Sequence, residues 1–473
     1  MNGAIPKVPT NIPGFDYVTA GGLPKARSTL VAGTAGSGKT ILCCQFLANG
    51  VQEGESAVFV SFEEQASRIR ENIRSFGWPV PEWEEQGRWA FVDAAPRVER
   101  SIEETGEFSL DALLARIQGA VARTGARRVA IDSIGALYPR FLDSDRIREE
   151  LGRVIQMLTE MGITTLITAE RRQEYGDVAR YGIEEFVPDG VIILRNVLES
   201  EHRRRTLEIL KMRGTTHHKG EFSFTIRADR GIVVVPLSSI DLDQPAPDRR
   251  ISSGHPILDQ LTGGGFFNTA IVLVAGPSGS GKSLAASHFT GSATPEERSL
   301  YLGFEESRLQ ILRNARGWGM NFEALEAEGS LLLYAHYPEA ETLEDHLIHI
   351  KDQIDSFKPT RIVIDSLTAL ERIASERGFK AFVVALLAYI KGTGATALFT
   401  AASPGFGYEG MSITEAHISS LTDTIIALRV SGLETKLQRS LVVLKMRGST
   451  QHHETRSFAI TDSGMVIDPV EER

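Results

Sequence analysis

Short runs of unbroken apolar residues recur along this chain, and longer stretches with apolar residues at every third or fourth position separate them. "STLVAG" (28–33), "AVFVSF" (57–62), "RRVAID" (127–132) and "TTLITA" (164–169) are runs of the first kind. "SLDALLARIQGAVARTG" (109–125) is of the second, with Leu110, Leu113, Leu114, Ile117 and Val121 on one helical stripe. A strand that is apolar at every position is buried on both faces. Such strands between helices predict a parallel sheet with helices on each side. Segments 191–235 and 424–467 depart from this rhythm and predict strand-rich endings.

The rhythm runs twice. "IPGFDYVTAGGLPKARSTLVAGTAGSGKT" (12–40) returns as "HPILDQLTGGGFFNTAIVLVAGPSGSGKS" (255–283), and "VSFEEQASRIRENIRSFGW" (60–78) as "LGFEESRLQILRNARGWGM" (302–320). "RRVAIDSIGAL" (127–137) returns as "TRIVIDSLTAL" (360–370), and "LEILKMRGTTHHKGEFSFTI" (207–226) as "LVVLKMRGSTQHHETRSFAI" (441–460). The order of these blocks is kept while their spacing drifts, which marks a tandem duplication with altered loops. Two α/β domains with mostly parallel sheets are expected, over 1–236 and 251–473. The Pro- and Asp-rich segment 237–250 joins them, with little in it to bury.

Composition narrows the function classes. The 473 residues carry a formal net charge of -10, which argues against a broad basic face for duplex nucleic acid. The two cysteines, Cys43 and Cys44, are adjacent and form no disulfide framework. The start, "MNGAIPKVPTNIPGFD", lacks the regions of a signal peptide, and apolar runs such as "FVVALLAYI" (382–390) fall short of a membrane span. A cytoplasmic protein without a membrane segment is the expectation.

The candidate chemistry begins with two glycine loops, "GTAGSGKT" and "GPSGSGKS". Each follows a strand and opens a helix, the context of a phosphate-binding P-loop. The backbone around Gly33, Thr34, Gly36, Ser37 and Gly38, and around Gly276, Ser278, Gly279, Ser280 and Gly281, would turn its N–H groups toward phosphates. Lys39 and Lys282 would reach the terminal phosphates of ATP, and the hydroxyls of Thr40 and Ser283 would ligate Mg²⁺. A P-loop needs an acid for the metal shell. Asp132 and Asp365 end the apolar strands "VAID" and "IVID", which are expected beside the P-loop strand.

Further pairs recur in register. Glu63-Glu64 and Glu305-Glu306 each close an apolar strand, where a carboxylate can orient water or take a hydroxyl proton. Adjacent acids at a strand end also occur as a merely solvated first helical turn; recurrence in both copies favours the catalytic reading. "KMRG" offers Lys211 and Arg213, then Lys445 and Arg447, as cationic fingers toward a nucleotide on a neighbouring subunit. His217-His218 and His452-His453 read as strand neighbours facing opposite ways, which suits no shared metal. "RRR" (203–205) reads as a solvated hairpin or an interface edge.

Strand, P-loop, glutamate pair, "IDS" aspartate and distal basic finger together describe a RecA-like P-loop NTPase core. Longer stretches go further. With "EYGDVARYGIEEFVPDGVIILRNVLESEHRRRTLEILKMRGTTHHKGEF", "YPEAETLEDHL" and "SITEAHISSLTDTIIAL", the chain resembles the KaiC family of circadian-clock ATPases and autokinases over residues 10–467. The resemblance implies a two-tier homohexamer with ATP at subunit interfaces. It implies hydrolysis at Glu63 and Glu64 in the first tier. In the second, Glu305 would activate a serine hydroxyl with support from Glu306, and the phosphates could return to ADP. Lys211, Arg213, Lys445 and Arg447 would contact the neighbour's ATP.

The family's two phosphoacceptor positions fall on Ser419 and Ser420, where the best-known members carry Ser-Thr. The first copy has Glu185 and Phe186 at the matched positions, and neither offers a hydroxyl. The sequence ends with "MVIDPVEER", so the resemblance sets KaiA aside as an expected partner and leaves a KaiB-like protein on the N-terminal tier. Two alternatives share the core: a nucleic-acid recombinase or helicase, disfavoured by the charge, and an ATP-gated scaffold without phosphotransfer.

Overall fold

The structure is a computed structural model that describes residues 5–94, 110–136, 144–180, 187–199, 202–236, 247–403, 421–433, 436–449 and 454–469. Its contacts divide the chain into two units, residues 1–236 and 237–473.

The main sheet of the first unit has nine strands. They are β1 (Ser28–Gly33), β2 (Ala57–Ser61), β3 (Trp89–Asp93), β4 (Arg128–Asp132), β5 (Thr164–Glu170), β6 (Gly190–Glu199), β7 (His202–Met212), β8 (Glu221–Arg227) and β9 (Gly231–Val235). They lie in the order β9-β8-β7-β6-β1-β5-β4-β2-β3. Pairs from β6 through β1 to β3 are parallel, and β6 to β9 form an antiparallel extension.

The unbroken apolar runs have the predicted cause. Along β1, β2 and β4, Val31, Phe59 and Ala130 pack with Leu42, Phe46 and Leu47 of the helix Lys39–Gln52. Their neighbours Leu30, Val58, Val60, Val129 and Ile131 pack on the other face with Ile117 and Val121 of Asp111–Thr124 and Leu158 of Ser144–Glu160. Alternate residues of one strand thus enter two different cores. At about 25 cal/mol per Å² of apolar surface, both layers stabilise the central strands.

The second unit repeats the plan with β10 (Ile271–Gly276), β11 (Ser299–Gly303), β12 (Leu331–Ala335), β13 (Arg361–Asp365), β14 (Thr396–Ala402), β15 (Thr424–Leu433), β16 (Lys436–Met446), β17 (Arg456–Thr461) and β18 (Gly464–Ile467). The order β12-β11-β13-β14-β10-β15-β16-β17-β18 is that of the first unit read from the other edge. Even the register shifts recur, at Val191/Ile192 in β6 and Ile425/Ile426 in β15.

The expected neighbour of the P-loop strand is corrected. Asp132 ends β4, and β5 lies between β4 and β1; Asp365 on β13 is likewise separated from β10 by β14. The intervening strand supplies a hydroxyl that steadies the aspartate, so the separation has a chemical use.

Candidate nucleotide sites

The glycine loops connect β1 to the helix Lys39–Gln52 and β10 to the helix Lys282–Gly291. Their tightness requires glycine. A Cβ on Gly33 would lie 2.3 Å from Ser37 Oγ and 2.9 Å from the Leu194 carbonyl oxygen. Gly38 and Gly281 stand before the helices at φ 94° and 100°, a left-handed turn that aims the first free helical N–H groups back at the loop. Lys39 Nζ donates to the carbonyls of Gly33 and Thr34 at 2.9 and 3.0 Å. Lys282 Nζ does the same to Gly276 and Pro277, both at 2.9 Å. Burial lowers the pKa of Lys282, and the Asp365 and Glu305 carboxylates oppose that shift.

The loops differ in detail. Ser37 Oγ donates to the Thr34 carbonyl at 2.8 Å, whereas the Ser280 hydroxyl is buried without a partner among the described residues. Thr34 Oγ1 donates to Glu174 Oε1 at 2.7 Å, and the other oxygen of Glu174 accepts from the Asn196 N–H at 2.9 Å. Pro277 stands where the first loop has Thr34.

Asp132 is brought to the first loop. Thr40 Oγ1 donates to Asp132 Oδ2 at 2.6 Å, and Thr168 on β5 donates to Oδ1. In the second unit Thr400 on β14 donates to Asp365 Oδ1, but Oδ2 accepts from the Tyr301 hydroxyl at 2.7 Å. The peptide bond after each aspartate is cis.

Glu63 and Glu305 lie in the turn after β2 and β11, the strands next to the aspartate strands. The serine after each aspartate meets them: Ser133 Oγ donates to Glu63 Oε1 at 2.6 Å and Ser366 Oγ to Glu305 Oε1 at 3.0 Å. The second acid of each pair is held by the following helix. Asn72 Nδ2 donates to Glu64 at 3.1 Å and Asn314 Nδ2 to Glu306 at 2.9 Å. Burial, then the Asp365 charge, raises the pKa of Glu306, with Asn314 pulling the other way.

The "KMRG" residues lie at the opposite end of the sheet from the P-loop of their own unit. Met212 pairs with Gly190, which pairs with Thr29 near the start of β1, whereas the loop follows the end of β1 at Gly33. Lys211 and Arg213 are therefore separated from their own loop by most of a strand. Lys445 Nζ donates to the Thr422 carbonyl at 2.7 Å, and the exposed Arg447 stands 3.5 Å from Asp423. Burial lowers the pKa of Lys445.

Several polar partners escape a reading of motifs. Arg205 Nε donates to the Gly36 carbonyl at 3.3 Å and Arg439 Nε to Gly279 at 3.0 Å, so one arginine per unit braces the loop from β7 or β16. "RRR" is a hairpin strand as expected, and its arginines are also hydrogen-bonded: Arg203 reaches the Asn196 carbonyl and Arg204 the Ser223 hydroxyl. The helpful signal was recurrence, because Arg205 and Arg439 hold the same place in both copies. His217 and His218 lie in an irregular segment and not on a strand, since the chain turns at Gly214. His218 stacks on Tyr17 at 4.4 Å between centroids, and burial lowers the pKa of His217. Ser419, Ser420, Glu185, Phe186, His452 and His453 lie outside the described residues.

With this geometry in view, comparison with known proteins decides the lineage. A family model described as "ATPase: KaiC" matches residues 8–239 and again 251–472. The chain belongs to the KaiC family. It is 49% identical over 464 residues to the circadian clock protein KaiC3 of Synechocystis sp., covering 98% of this chain and 92% of that protein. To the circadian clock oscillator protein KaiC of Synechococcus elongatus it is 48% identical over 463 residues, covering 98% and 89%. The KaiC of Prochlorococcus marinus is 46% identical over 465 residues, covering 98% and 93%. This KaiC-family chain thus carries two tandem RecA-like ATPase domains, each built on a nine-stranded, mostly parallel sheet. Among the described residues, no helix is long and apolar enough to cross a membrane.

The donors fit a hard cation held jointly with nucleotide. Thr40 Oγ1 and Asp132 Oδ2 meet at 2.6 Å at a helix start, and both are oxygen donors of the kind Mg²⁺ prefers. Among the described residues no group of three or more His, Cys, Asp or Glu side chains could hold a metal ion, so phosphate and water would complete the shell.

Proposed function

We propose that this chain binds ATP at both P-loops, hydrolyses it mainly in the first unit, and in the second transfers phosphoryl groups to and from its own Ser419 and Ser420. The observation that carries this reading is the doubled contact of serine with glutamate, Ser133 with Glu63 and Ser366 with Glu305, beside an aspartate that faces the P-loop. A surface acid needs no such support; a carboxylate that must accept a proton in a fixed direction does.

In the first unit Lys39 would hold the terminal phosphates, and Glu63, supported by Glu64, would orient a water for attack on the γ-phosphorus. The water's proton passes to Glu63 as the bond to the leaving ADP breaks. In the second unit a serine Oγ takes the place of the water. Its proton passes to Glu305, the new P–O bond forms at Ser419 or Ser420, and ADP leaves; the reverse returns the phosphoryl group to ADP. Thr40 with Asp132, and Ser283 with Asp365, would hold Mg²⁺, which neutralises charge developing on the phosphates.

The position of Lys211, Arg213, Lys445 and Arg447 away from their own loops supports action on a neighbouring subunit's nucleotide, and hence a homohexamer. Relatives named for the circadian clock support a timing or signalling role, and a KaiB-like protein on the first tier is the partner the family resemblance implies.

Phosphate release by Lys39→Ala and Lys282→Ala chains tests the division of labour. Loss of most turnover in Lys39→Ala and a minority in Lys282→Ala is expected. Full turnover in Lys39→Ala would overturn it.

A further inference from the structure

One difference between the two sites is a buried hydroxyl behind the aspartate. Tyr301 and Phe59 occupy the third position of β11 and β2, the strands that lie beside the aspartate strands. Tyr301 stands opposite Val363 and Phe59 opposite Ala130, in equal register, and their exposures are 2% and 0%. The rings fill the same place in the same fold. Only one carries an oxygen.

That oxygen changes what the aspartate touches. Oδ1 is held alike in both units, by Thr168 and by Thr400. Oδ2 is not. In the first unit it accepts from Thr40, the hydroxyl that follows the P-loop lysine, at 2.6 Å. In the second it accepts from Tyr301 at 2.7 Å, and no hydrogen bond joins Asp365 to Ser283, the counterpart of Thr40.

We propose that Tyr301 is a positioning residue that keeps Asp365 off the Ser283 hydroxyl, so that the second site needs more divalent cation than the first to hold nucleotide. The inference rests on reading the second copy as a nucleotide site. A hydrogen bond from a phenol to a carboxylate is charge-assisted, so it draws negative charge away from the cation and fixes the direction of the oxygen. Partners behind a ligating or water-bridging carboxylate tune a metal in this way. With Phe59 behind it, Asp132 Oδ2 has no phenol to meet and is joined to the loop hydroxyl of Thr40 instead. The two copies then fill at different Mg²⁺ concentrations, and the site assigned to phosphoryl transfer is the more demanding.

The test is binding of a fluorescent non-hydrolysable ATP analogue to the full chain during Mg²⁺ titration. A Lys39→Ala background silences the first site, and the chain is compared with and without Tyr301→Phe. The Mg²⁺ midpoint should fall about three- to ten-fold on losing the hydroxyl, the scale of one typical net hydrogen bond. In a Lys282→Ala background, Phe59→Tyr should raise the midpoint of the first site by a similar factor. This reciprocal pair decides the matter if Tyr301→Phe does not fold. Retained binding with unmoved midpoints overturns the role of Tyr301 and leaves the nucleotide site standing. Absence of binding to the Lys39→Ala chain at every Mg²⁺ concentration overturns the site and the inference with it.

Discussion

Ser133 Oγ donates a hydrogen bond to Glu63 Oε1 at 2.6 Å, so the residue after Asp132 steadies the first carboxylate of the pair. Both lie where the parallel strands β2 and β4 end side by side, a meeting that only the sheet order creates.

Ser133→Ala should therefore slow ATP turnover in the first unit by about ten-fold, less than the roughly 10²–10⁴-fold that a general base itself contributes, while nucleotide affinity stays within about two-fold. Ser133→Thr should restore much of the rate. Steady-state phosphate release in a Lys282→Ala background reads this, and equal losses of affinity and turnover would point to a purely structural serine.

Arg213 is assigned to the neighbour's nucleotide, because the sheet register puts it at the far end from its own loop. Arg213→Ala and Lys39→Ala chains should each lose most first-unit hydrolysis. Mixed before assembly, they should recover part of it, since some interfaces then combine an intact lysine with an intact arginine. No recovery in co-assembled mixtures would count against action between subunits.

His288 sets a pH limit on the second unit. Its Nε2 accepts a hydrogen bond from the Met465 N–H at 3.0 Å, so the ring must be neutral there. Burial, and then the neighbouring His255, lowers its pKa from 6.5 to about 4. As pH falls the unfolded chain takes the proton first, so this stability is complete above pH 6.5 and lost progressively down to about pH 4. Allowing for the ring's partial exposure, the loss is about 1–2 kcal/mol. Thermal unfolding at pH 7.5 and 5 should show a smaller drop for His288→Gln than for the parent chain; equal drops would remove His288 from the account.

Much of this was legible because duplication doubled every signal. The strands, P-loops, aspartates and glutamate pairs all lie in continuous runs of sequence, and period and spacing are local properties. Strand order is not local: the runs gave no sign that β5 would separate Asp132 from the P-loop strand. Arg205 and Glu174 were missed for the same reason, since each meets a partner distant in sequence. The exchange of Phe59 for Tyr301 was visible as letters and mute as chemistry until the hydroxyl had an aspartate to meet.

The central claim is that the second unit writes phosphate onto its own serines. Incubation of the full chain with γ-labelled ATP, followed by phosphopeptide mapping, tests it directly. The account predicts label at Ser419, Ser420 or both, absent from the Ser419→Ala/Ser420→Ala chain and reduced at least about 100-fold in Glu305→Gln. An unlabelled parent chain, or equal label on the alanine chain, would contradict it.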